Sequence, residues 1–567
     1  MRRNKKMKFR YIPYTIFSLL LTVAAQAQTK PEDKKTDPAK PASGTLTEEI
    51  EVVRPYKPVL ADAAKIRRSP DLNNHKPFRP NQTYLILDKR LELNSDIRQL
   101  DAQELNAAPA PLFENNYAKL GFGNYGTALG ELYLNTGNDE ALQAGFFMKH
   151  LGQSGDLNKQ RGTRQELGIY GKSIMDKITV NGELGFDRLS TNFYAVNPNI
   201  SNFNPDPKKQ RFSTISLKGE LLKNYEQTQS SLDYALKADA YTLSSRYGSK
   251  ETSFALSGFF NNTYKQFNIG VNSSIDFTKT KDSLDIGNHI FRANPYVKFQ
   301  GKNYKISVGV NFVQEFGENS RTNILPVVIA ELPVVPGYAT IFGGYTGDVL
   351  KSSLRNFAYE NPYLRKNLIE NAIEKANVYG GVKGNAGAGF GFKAMVYYKT
   401  IQNMPLYANS PEGLERFEIR YDGGNSKVIG LEGELNVKAS EVLSWTGKVE
   451  INKYDMATEE KAWMKPGIRL HSNARLAINK KIRIDGQLVL NGDTDALTYE
   501  YVEGLDPQRR IVTIKSYLDL SAGAEYLIKD KFGVFVRVNN LFGNEYQQFL
   551  YYPKFGINAI AGLNYSF

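Results

Sequence analysis

The chain has 567 residues, a formal net charge of +13 and no cysteine, which excludes disulfide bonds and an anchor on a lipid-modified cysteine. Six of the positive charges lie within the first ten residues, so the rest of the chain has an excess of +7, too small to indicate a nucleic-acid partner. There are 34 tyrosines, 31 phenylalanines and 47 glycines, but no sustained helical periodicity after about residue 115. This composition favours an all-β architecture.

The N-terminus has the pattern of a secretory signal peptide. A basic segment precedes the short apolar run 11–24, and the small-x-small site Ala25-Gln26-Ala27 follows. The run is shorter than the apolar stretch that a transmembrane helix needs. We therefore expect residues 1–27 to be removed on export.

Two further segments precede the regular part of the chain. Residues 28–47 are rich in lysine, aspartate and proline, a composition that predicts a disordered linker. Residues 48–114 contain only short extended or helical candidates and are too polar to form an independent core. We expect residues 48–114 to be a periplasmic or plug-like segment that lies against, or inside, a larger domain.

From about residue 115 to the C-terminus, alternating segments are joined by connections that are short and long in turn. The short turns are at 176–177, 300–303, 336–337, 479–480 and 529–531, and the long connections are at 191–210, 348–373 and 493–510. Short periplasmic turns and long outer loops are typical of outer-membrane barrels. We predict that residues 115–567 form a transmembrane antiparallel β-barrel of about 22 strands (range roughly 18–24), each of about 10 residues.

The two faces of each predicted strand differ in charge. In the segment 468–478, Ile468 and Leu470 share one face, and Arg469 and His471 share the other. A charged side chain that faces lipid at mid-membrane costs roughly 2–4 kcal/mol, which places the charged faces toward the lumen. A soluble β-sandwich has a similar alternation, but the signal peptide and the loop pattern favour the barrel.

The inward charges are the only functional candidates, because no grouping of residues indicates a metal centre or an enzyme active site. They are Lys393, Lys399, Glu432, Glu434, Arg469, Arg475, Arg483, Asp485, Asp519, Glu525 and Arg537. Rows of such charges would select solutes in a channel. Alternatively, they pair across neighbouring strands and hold a filled lumen, which the presence of both signs on adjacent strands favours. We expect no enzyme activity and no cofactor.

The C-terminal part of the chain carries a family resemblance. Residues 539–546 read NNLFGNEY, 552–556 read YPKFG, and the alternating last strand ends on Phe567. With ENPYL at 360–364 and KVIGLEGEL at 427–435, these motifs resemble the C-terminal region of TonB-dependent receptors. The resemblance implies an integral outer-membrane barrel with periplasmic termini, surrounded by outer-membrane lipid. It also implies that Phe567 belongs to the signal that the barrel-assembly machinery reads.

The same resemblance implies a function. The segment of Glu48, Glu49, Ile50, Glu51, Val52 and Val53 faintly resembles the box through which these receptors pair with TonB, by adding a strand to the partner's sheet. Uptake of an unidentified solute is therefore expected, with residues 48–114 blocking or gating the lumen, although this segment is much shorter than a typical plug. The alternative is a non-transporting scaffold subunit of an outer-membrane assembly, with another periplasmic protein as the partner of this segment.

Overall fold

The computed structural model describes residues 116–136, 141–197, 203–224, 232–301, 303–318, 320–385, 387, 389–439 and 442–567, which belong to one compact unit. The predictions for the signal peptide, the linker and the plug-like segment concern residues 1–114 and lie outside the described residues. None of the helices in the described ranges is long and apolar enough to cross a membrane.

The described residues form 26 strands and a short helix. In chain order these are β1 (Tyr117–Gly123), β2 (Thr127–Asn135), β3 (Leu142–Ser154), β4 (Arg161–Ile174), β5 (Ile178–Asn192), β6 (Lys209–Lys223), β7 (Leu232–Ser245), β8 (Lys250–Tyr264), β9 (Phe267–Lys281), β10 (Asp285–Gln300), β11 (Lys305–Gly317), β12 (Arg321–Val335), β13 (Ala339–Leu350), α1 (Leu354–Glu360), β14 (Ala372–Asn385), β15 (Phe390–Ser410), β16 (Gly413–Ala439), β17 (Leu443–Asp455), β18 (Ile468–Ala477), β19 (Ile482–Asn491), β20 (Thr494–Glu500), β21 (Gln508–Ile514), β22 (Tyr517–Leu527), β23 (Phe532–Asn539), β24 (Gln547–Phe549), β25 (Tyr552–Pro553) and β26 (Asn558–Ser566).

Twenty-two of these strands form one closed antiparallel barrel, as predicted. Each barrel strand pairs with the next barrel strand along the chain, and β26 pairs with β1 to close the sheet. The remaining four strands form two small hairpins, β20–β21 and β24–β25, within connections between barrel strands. The closed sheet has no free edge, so every barrel strand has a hydrogen-bonded neighbour on both sides.

The barrel has two unlike rims. Both ends of the described chain lie at one of them, which we call the terminal rim, because Tyr117 pairs with Ser566. All five predicted short turns join strands at this rim. The opposite rim, which we call the loop rim, carries the longer connections 193–208, 351–371, 456–467, 492–516 and 540–557.

The outer surface of the wall is apolar. In β26 and the residues beside it, Ile557, Leu563 and Phe567 are 40–51% exposed, whereas the alternating residues Asn558 and Asn564 are 3% exposed. The alternation predicted for this strand is confirmed. An apolar outer face and a polar inner face are what a barrel needs in order to stand in lipid.

Many barrel strands are longer than the roughly 10 residues needed to cross the hydrocarbon layer. The longest are β15 and β16, with 21 and 27 residues. The residues of β15 and β16 nearest their connection extend beyond the barrel wall at the loop rim, since β16 pairs with β17 only over Lys427–Ala439. There Leu406, Ala408 and Phe417 are fully buried against neighbouring connections, so this hairpin is part of the structure that covers the loop rim.

Two glycines face each other where the barrel closes. Gly121 in β1 pairs with Gly562 in β26, and the ring of Phe535 covers both. A Cβ atom on Gly562 would lie 2.0 Å from the carbonyl oxygen of Leu120 and 2.7 Å from Cε1 of Phe535. Glycine is therefore required here for the close approach of strand and ring.

The variant Gly562→Val is expected to destabilise the barrel, because its side chain would displace Phe535 and strain the closing pair of strands. Overpacking of this kind costs roughly 1–3 kcal/mol. The measurement is the thermal unfolding of the detergent-solubilised protein, followed by the heat-dependent shift of its band on a denaturing gel. The matched control is Ala561→Val, on the outward face of the same strand. Equal melting of the two variants would contradict the prediction.

Candidate functional site

Three connections of the loop rim meet over the middle of the lumen. They are 193–208 between β5 and β6, 351–371 between β13 and β14, and 540–557 between β23 and β26. Around the ring of 22 strands they are separated by eight, eight and six strands. Connections spaced so evenly around a barrel touch one another only near its axis.

Each of these connections contributes one tyrosine to a group that we call the tyrosine triad. The rings of Tyr363 and Tyr552 are stacked, with centroids 3.6 Å apart. Tyr194 stands edge-on to both rings, at 6.0 Å from Tyr363 and 5.0 Å from Tyr552. Burial raises the pKa of the Tyr194 and Tyr552 phenols well above the usual value, so both are neutral. The triad joins the three connections through uncharged, interlocking rings.

The triad is the centre of a larger apolar cluster, which we call the cap. Its other buried members include Phe193, Ala195, Phe357, Leu364, Ile369, Tyr407, Leu414, Phe417, Met464, Ala496, Ile514, Phe549, Leu550 and Tyr551. These residues come from six connections or strand ends of the loop rim. The cap is thus a small hydrophobic core, made of connections and strand ends of the loop rim.

The connection 351–371, which we call the crossing loop, spans the lumen. It leaves the wall at β13 and carries α1 to the opposite wall. There the hydroxyl of Tyr359 donates to Asp187 in β5 and lies 3.3 Å from Oγ1 of Thr214 in β6. Since β13 and β5 are eight strands apart in a ring of 22, the loop crosses the interior of the barrel.

Glu251 of β8 anchors the start of α1. Its fully buried carboxylate accepts hydrogen bonds from the backbone N–H groups of Leu354, at 2.7 Å, and Arg355, at 3.1 Å. The hydroxyls of Tyr241 and Thr280 donate to the same carboxylate at 2.7 and 2.8 Å. The N-terminal N–H groups of a helix have no partner within the helix, so an acid in the wall is a favourable anchor.

The ends of the crossing loop are fixed as well. At its start, Lys351 binds Asp276 and donates to Oγ1 of Thr278 at 2.6 Å. At its end, the Asn371 amide donates to Asn288 at 2.7 Å and to Glu315 at 2.8 Å. The described loop is therefore held to the wall at both ends and at α1.

Asp422, in the part of β16 nearer the loop rim, fastens the connection 456–467 to this strand. Its carboxylate accepts hydrogen bonds of 2.5–2.9 Å from the Ser426 hydroxyl, the Thr458 hydroxyl and the backbone N–H groups of Ala457, Thr458 and Glu459. Burial alone would raise the pKa of this carboxyl, but the hydrogen bonds outweigh burial and hold the pKa well below its usual range. Asp422 is therefore ionised at neutral pH.

A cavity of about 610 Å³ lies beside α1, below the tip of the β15–β16 hairpin. Phe212 and Leu354 form apolar parts of its wall. Asp282, Arg365 and Arg416 contribute charged groups. The volume is in the range of sites for small organic ligands.

The lumen-charge candidates lie in the barrel strands, away from the cap, and several of them pair with one another or with a neighbour. Lys393 and Lys448 both bind Glu432, at 2.9 and 3.0 Å. Arg537 binds Asp485 at 2.6 Å. Further pairs are Lys448 with Glu434 at 3.5 Å, Lys399 with Glu374 at 3.3 Å and Arg483 with Glu525 at 3.9 Å.

The remaining candidates also have polar surroundings. Asp519 accepts a hydrogen bond from the Tyr546 hydroxyl at 2.6 Å. The strand register places Arg469 opposite Glu450, and Arg475 opposite Asp485. A role of these eleven charges in selecting solutes stays a prediction, because ion pairs between neighbouring strands can also stabilise the barrel wall.

Two other sequence-predicted sites have different outcomes. The TonB-box-like segment, residues 48–53, lies outside the described residues. Phe567 exchanges two backbone hydrogen bonds of 3.0 Å with Asn116, so the last residue is paired beside β1. Within the described ranges, no three His, Asp or Glu side chains come together as metal ligands.

The similarity of this chain to known proteins lies in the structure. No protein-family model matches the sequence, and a search of curated proteins finds no match either. The FrpB iron transporter from Neisseria meningitidis (F3-3 variant) is similar with a TM-score of 0.62 and 12% identity, over 82% of this chain and 83% of the transporter. The Escherichia coli K12 ferric-catecholate import receptor Fiu is similar with a TM-score of 0.59 and 9% identity, over 80% and 82%.

A third structure is the ferripyoverdine receptor of the outer membrane of Pseudomonas aeruginosa bound to ferripyoverdine. It has a TM-score of 0.56 and 12% identity, over 81% of this chain and 72% of the receptor. The chain has the fold of an outer-membrane receptor barrel. The resemblance to TonB-dependent receptor barrels, which the C-terminal motifs indicated, is thereby confirmed for the fold.

Proposed function

We propose that this protein is an outer-membrane receptor that binds a solute at the loop rim and lets it pass through the barrel. The observation that carries the proposal is the closed 22-strand barrel. A barrel of this size encloses a lumen wide enough for a solute and needs a device to block it. Two proteins of the same fold are described as an iron transporter and as a ferric-catecholate import receptor.

In this proposal the loop rim faces the outside and both termini face the periplasm, as the alternation of short turns and long connections favours. The cap prevents free diffusion through the mouth, so passage requires that the crossing loop or the cap moves. Residues 48–114 block or gate the lumen from the terminal rim, and residues 48–53 connect this segment to TonB. The outer-membrane lipid and the barrel-assembly machinery are the other expected partners, and the protein is not an enzyme.

The second candidate function is a non-transporting scaffold in an outer-membrane assembly. The cap favours it, because the tyrosine triad and the anchors of the crossing loop close the mouth from within the barrel's own connections. A barrel that never opens offers surfaces to other proteins but no route for a solute. The two candidates differ in whether the closed mouth is a gate or a permanent seal.

Single-channel conductance in planar bilayers tests whether a route exists. Four proteins are compared: the mature chain, the same chain without residues 29–114, that deletion combined with Tyr363→Ala and Tyr552→Ala, and the mature chain with these two substitutions alone. We expect the first to be closed and the second to open briefly, because the cap is still present. The third should form large and stable channels, since both obstacles have been removed.

The outcome distinguishes the candidates. If the third protein stays closed, wall side chains fill the lumen, the uptake proposal fails and the scaffold becomes the leading function. If the mature chain with the two tyrosine substitutions alone conducts as well as the third protein, residues 48–114 do not block the lumen. The gating part of the proposal is then wrong.

A further inference from the structure

The cavity beside α1 is built from parts of the chain that lie far apart in sequence. The connection between β9 and β10 supplies Asp282, the crossing loop supplies Arg365 and Lys366, and the start of β16 supplies Arg416. The volume of about 610 Å³ accommodates a ligand of amino-acid or short-peptide size. Both signs of charge line this one cavity, on different elements.

Asp282 has an acceptor that the described protein does not use. The side chain is only 8% exposed, and its Oδ2 accepts a hydrogen bond of 2.8 Å from the backbone N–H of Asn367. Its Oδ1 is buried and accepts no hydrogen bond within the described residues. Burial raises the pKa of this carboxyl. Ser249, the Asn367 N–H and the positive charge of Lys366 oppose this rise only in part. A buried oxygen without a donor costs free energy that a ligand's donor would recover.

Arg416 gives the cavity a positive side. Its guanidinium lies against the rings of Phe193, at 4.9 Å, and Tyr247, at 5.3 Å, which fix its plane. Its Nε is buried and makes no hydrogen bond within the described residues, although Glu415 forms an ion pair with it at 3.5 Å. The guanidinium is thus held in place by aromatic packing while one of its donors is unused.

The other basic groups of the cavity differ in their engagement. Arg365 is bound to the hydroxyl of Ser410 and to Glu412, both at 3.0 Å, so its guanidinium is already occupied. Lys366 is exposed and forms no ion pair within the described residues. Within the described residues, the buried polar atoms of the cavity that make no hydrogen bond are therefore Oδ1 of Asp282 and Nε of Arg416, whereas the Lys366 ammonium is exposed to solvent.

We infer that this cavity binds a small zwitterion, with its ammonium group on Oδ1 of Asp282, its carboxylate on the Arg416 side and its apolar side group against Phe212 and Leu354. Amino acids and short peptides have this chemistry. An ammonium group would donate the hydrogen bond that Oδ1 of Asp282 does not receive within the described residues, and a charge-assisted hydrogen bond is the stronger kind. The inference rests on the proposed function only where it makes this ligand the solute that is taken up.

The test is isothermal titration of the mature, detergent-solubilised protein with the dipeptide phenylalanylglycine. Its N-acetylated form lacks the ammonium group, and its C-terminal amide lacks the carboxylate. We expect the free dipeptide to bind roughly tenfold to 100-fold more tightly than either analogue, since each loses one hydrogen bond to a charged group. Equal affinity for the three probes, or binding of none, would overturn the inference.

Two variants assign the groups. Asp282→Asn should weaken binding of the free dipeptide until it equals binding of the N-acetylated form. The affinity for the N-acetylated form should not change, whereas a folding defect would lower both affinities. Arg416→Gln should weaken binding of the free dipeptide until it equals binding of the C-terminal amide, and it should leave the affinity for the amide unchanged. The control is Asp206→Asn, an exposed acid of the connection 193–208 that pairs with Lys159 and Lys208. If all three variants bind equally, the assigned groups are wrong.

Binding and passage can fail separately. If the dipeptide binds as expected but the barrel never conducts, the inference holds and the uptake proposal fails. If the barrel conducts but neither dipeptide nor analogues bind, the proposed function stands and the zwitterion site is refuted.

Discussion

Replacing Tyr363 by alanine is expected to open the cap while leaving the barrel folded. The ring is buried between Tyr194 and Tyr552, and it is packed edge-to-face on Phe549 at 6.1 Å. Removing a buried aromatic ring costs roughly 3–5 kcal/mol. The barrel wall does not depend on this ring, so the loss falls on the local equilibrium between the closed and the open cap.

Limited proteolysis measures this opening. Arg365 and Arg416 directly adjoin the cap residues Leu364 and Phe417 in the chain and offer cleavage sites for trypsin. Cleavage of a transiently opened segment follows the population of the open form. With about 1.4 kcal/mol for each factor of ten, we expect the cap of Tyr363→Ala to be cleaved roughly 100- to 4,000-fold faster than that of the parent protein.

Two controls accompany this experiment. Tyr363→Phe keeps the stacked ring and should behave nearly as the parent protein does. Tyr304→Ala removes a tyrosine at the terminal rim that is 47% exposed, and it should leave cap cleavage unchanged. Unchanged cleavage in Tyr363→Ala would mean that the triad is not what closes the mouth.

The wall of the barrel was predictable from the sequence for a physical reason. Lipid outside and a polar lumen inside impose a period of two on each strand, and that period is visible locally, as in β18 and β26. Short turns such as 176–177 indicate the terminal rim, because they are polar and interrupt the alternation of apolar and polar residues. The strand count follows from these two signals, and the structure confirms it.

The cap was not predictable in the same way. The sequence shows long connections at 191–210 and 348–373, but it does not show that they meet, because Tyr194 and Tyr363 are 169 positions apart in the chain. In the structure, Phe193 and Tyr194 pack within the cap. Local patterns carry no information on contacts of this range.

The anchors and the cavity also escaped the sequence analysis. Glu251 is one acid in an alternating strand, and Asp282 is one acid in a short connection. What distinguishes them is the set of groups that the fold brings to each. The strand face of an inward charge such as Glu432 is predictable from its position in the alternating pattern. Its ion-pair partners are not, because they depend on the register of β15, β16 and β17.

The anchor of α1 is where we expect the second large effect. Glu251→Gln should detach the start of α1 from the wall, because the amide keeps the size of the side chain but replaces one acceptor oxygen by a donor. Four groups donate to the carboxylate, including the N–H groups of Leu354 and Arg355. A donor facing these donors leaves buried polar groups unpaired, and the loss of the charge weakens the remaining bonds, which together cost roughly 3–5 kcal/mol.

The absence of cysteine from the chain provides a direct measurement. Phe357 is a buried residue of α1, so a single cysteine at this position reacts with a water-soluble maleimide only when the crossing loop leaves the wall. We expect Glu251→Gln to accelerate labelling of Phe357→Cys at least 100-fold. The control is Glu500→Gln in the same cysteine background, because Glu500 is exposed on the β20–β21 hairpin. Equal labelling rates would show that the crossing loop is held by its ends at Lys351 and Asn371, and that the carboxylate in β8 is not its main anchor.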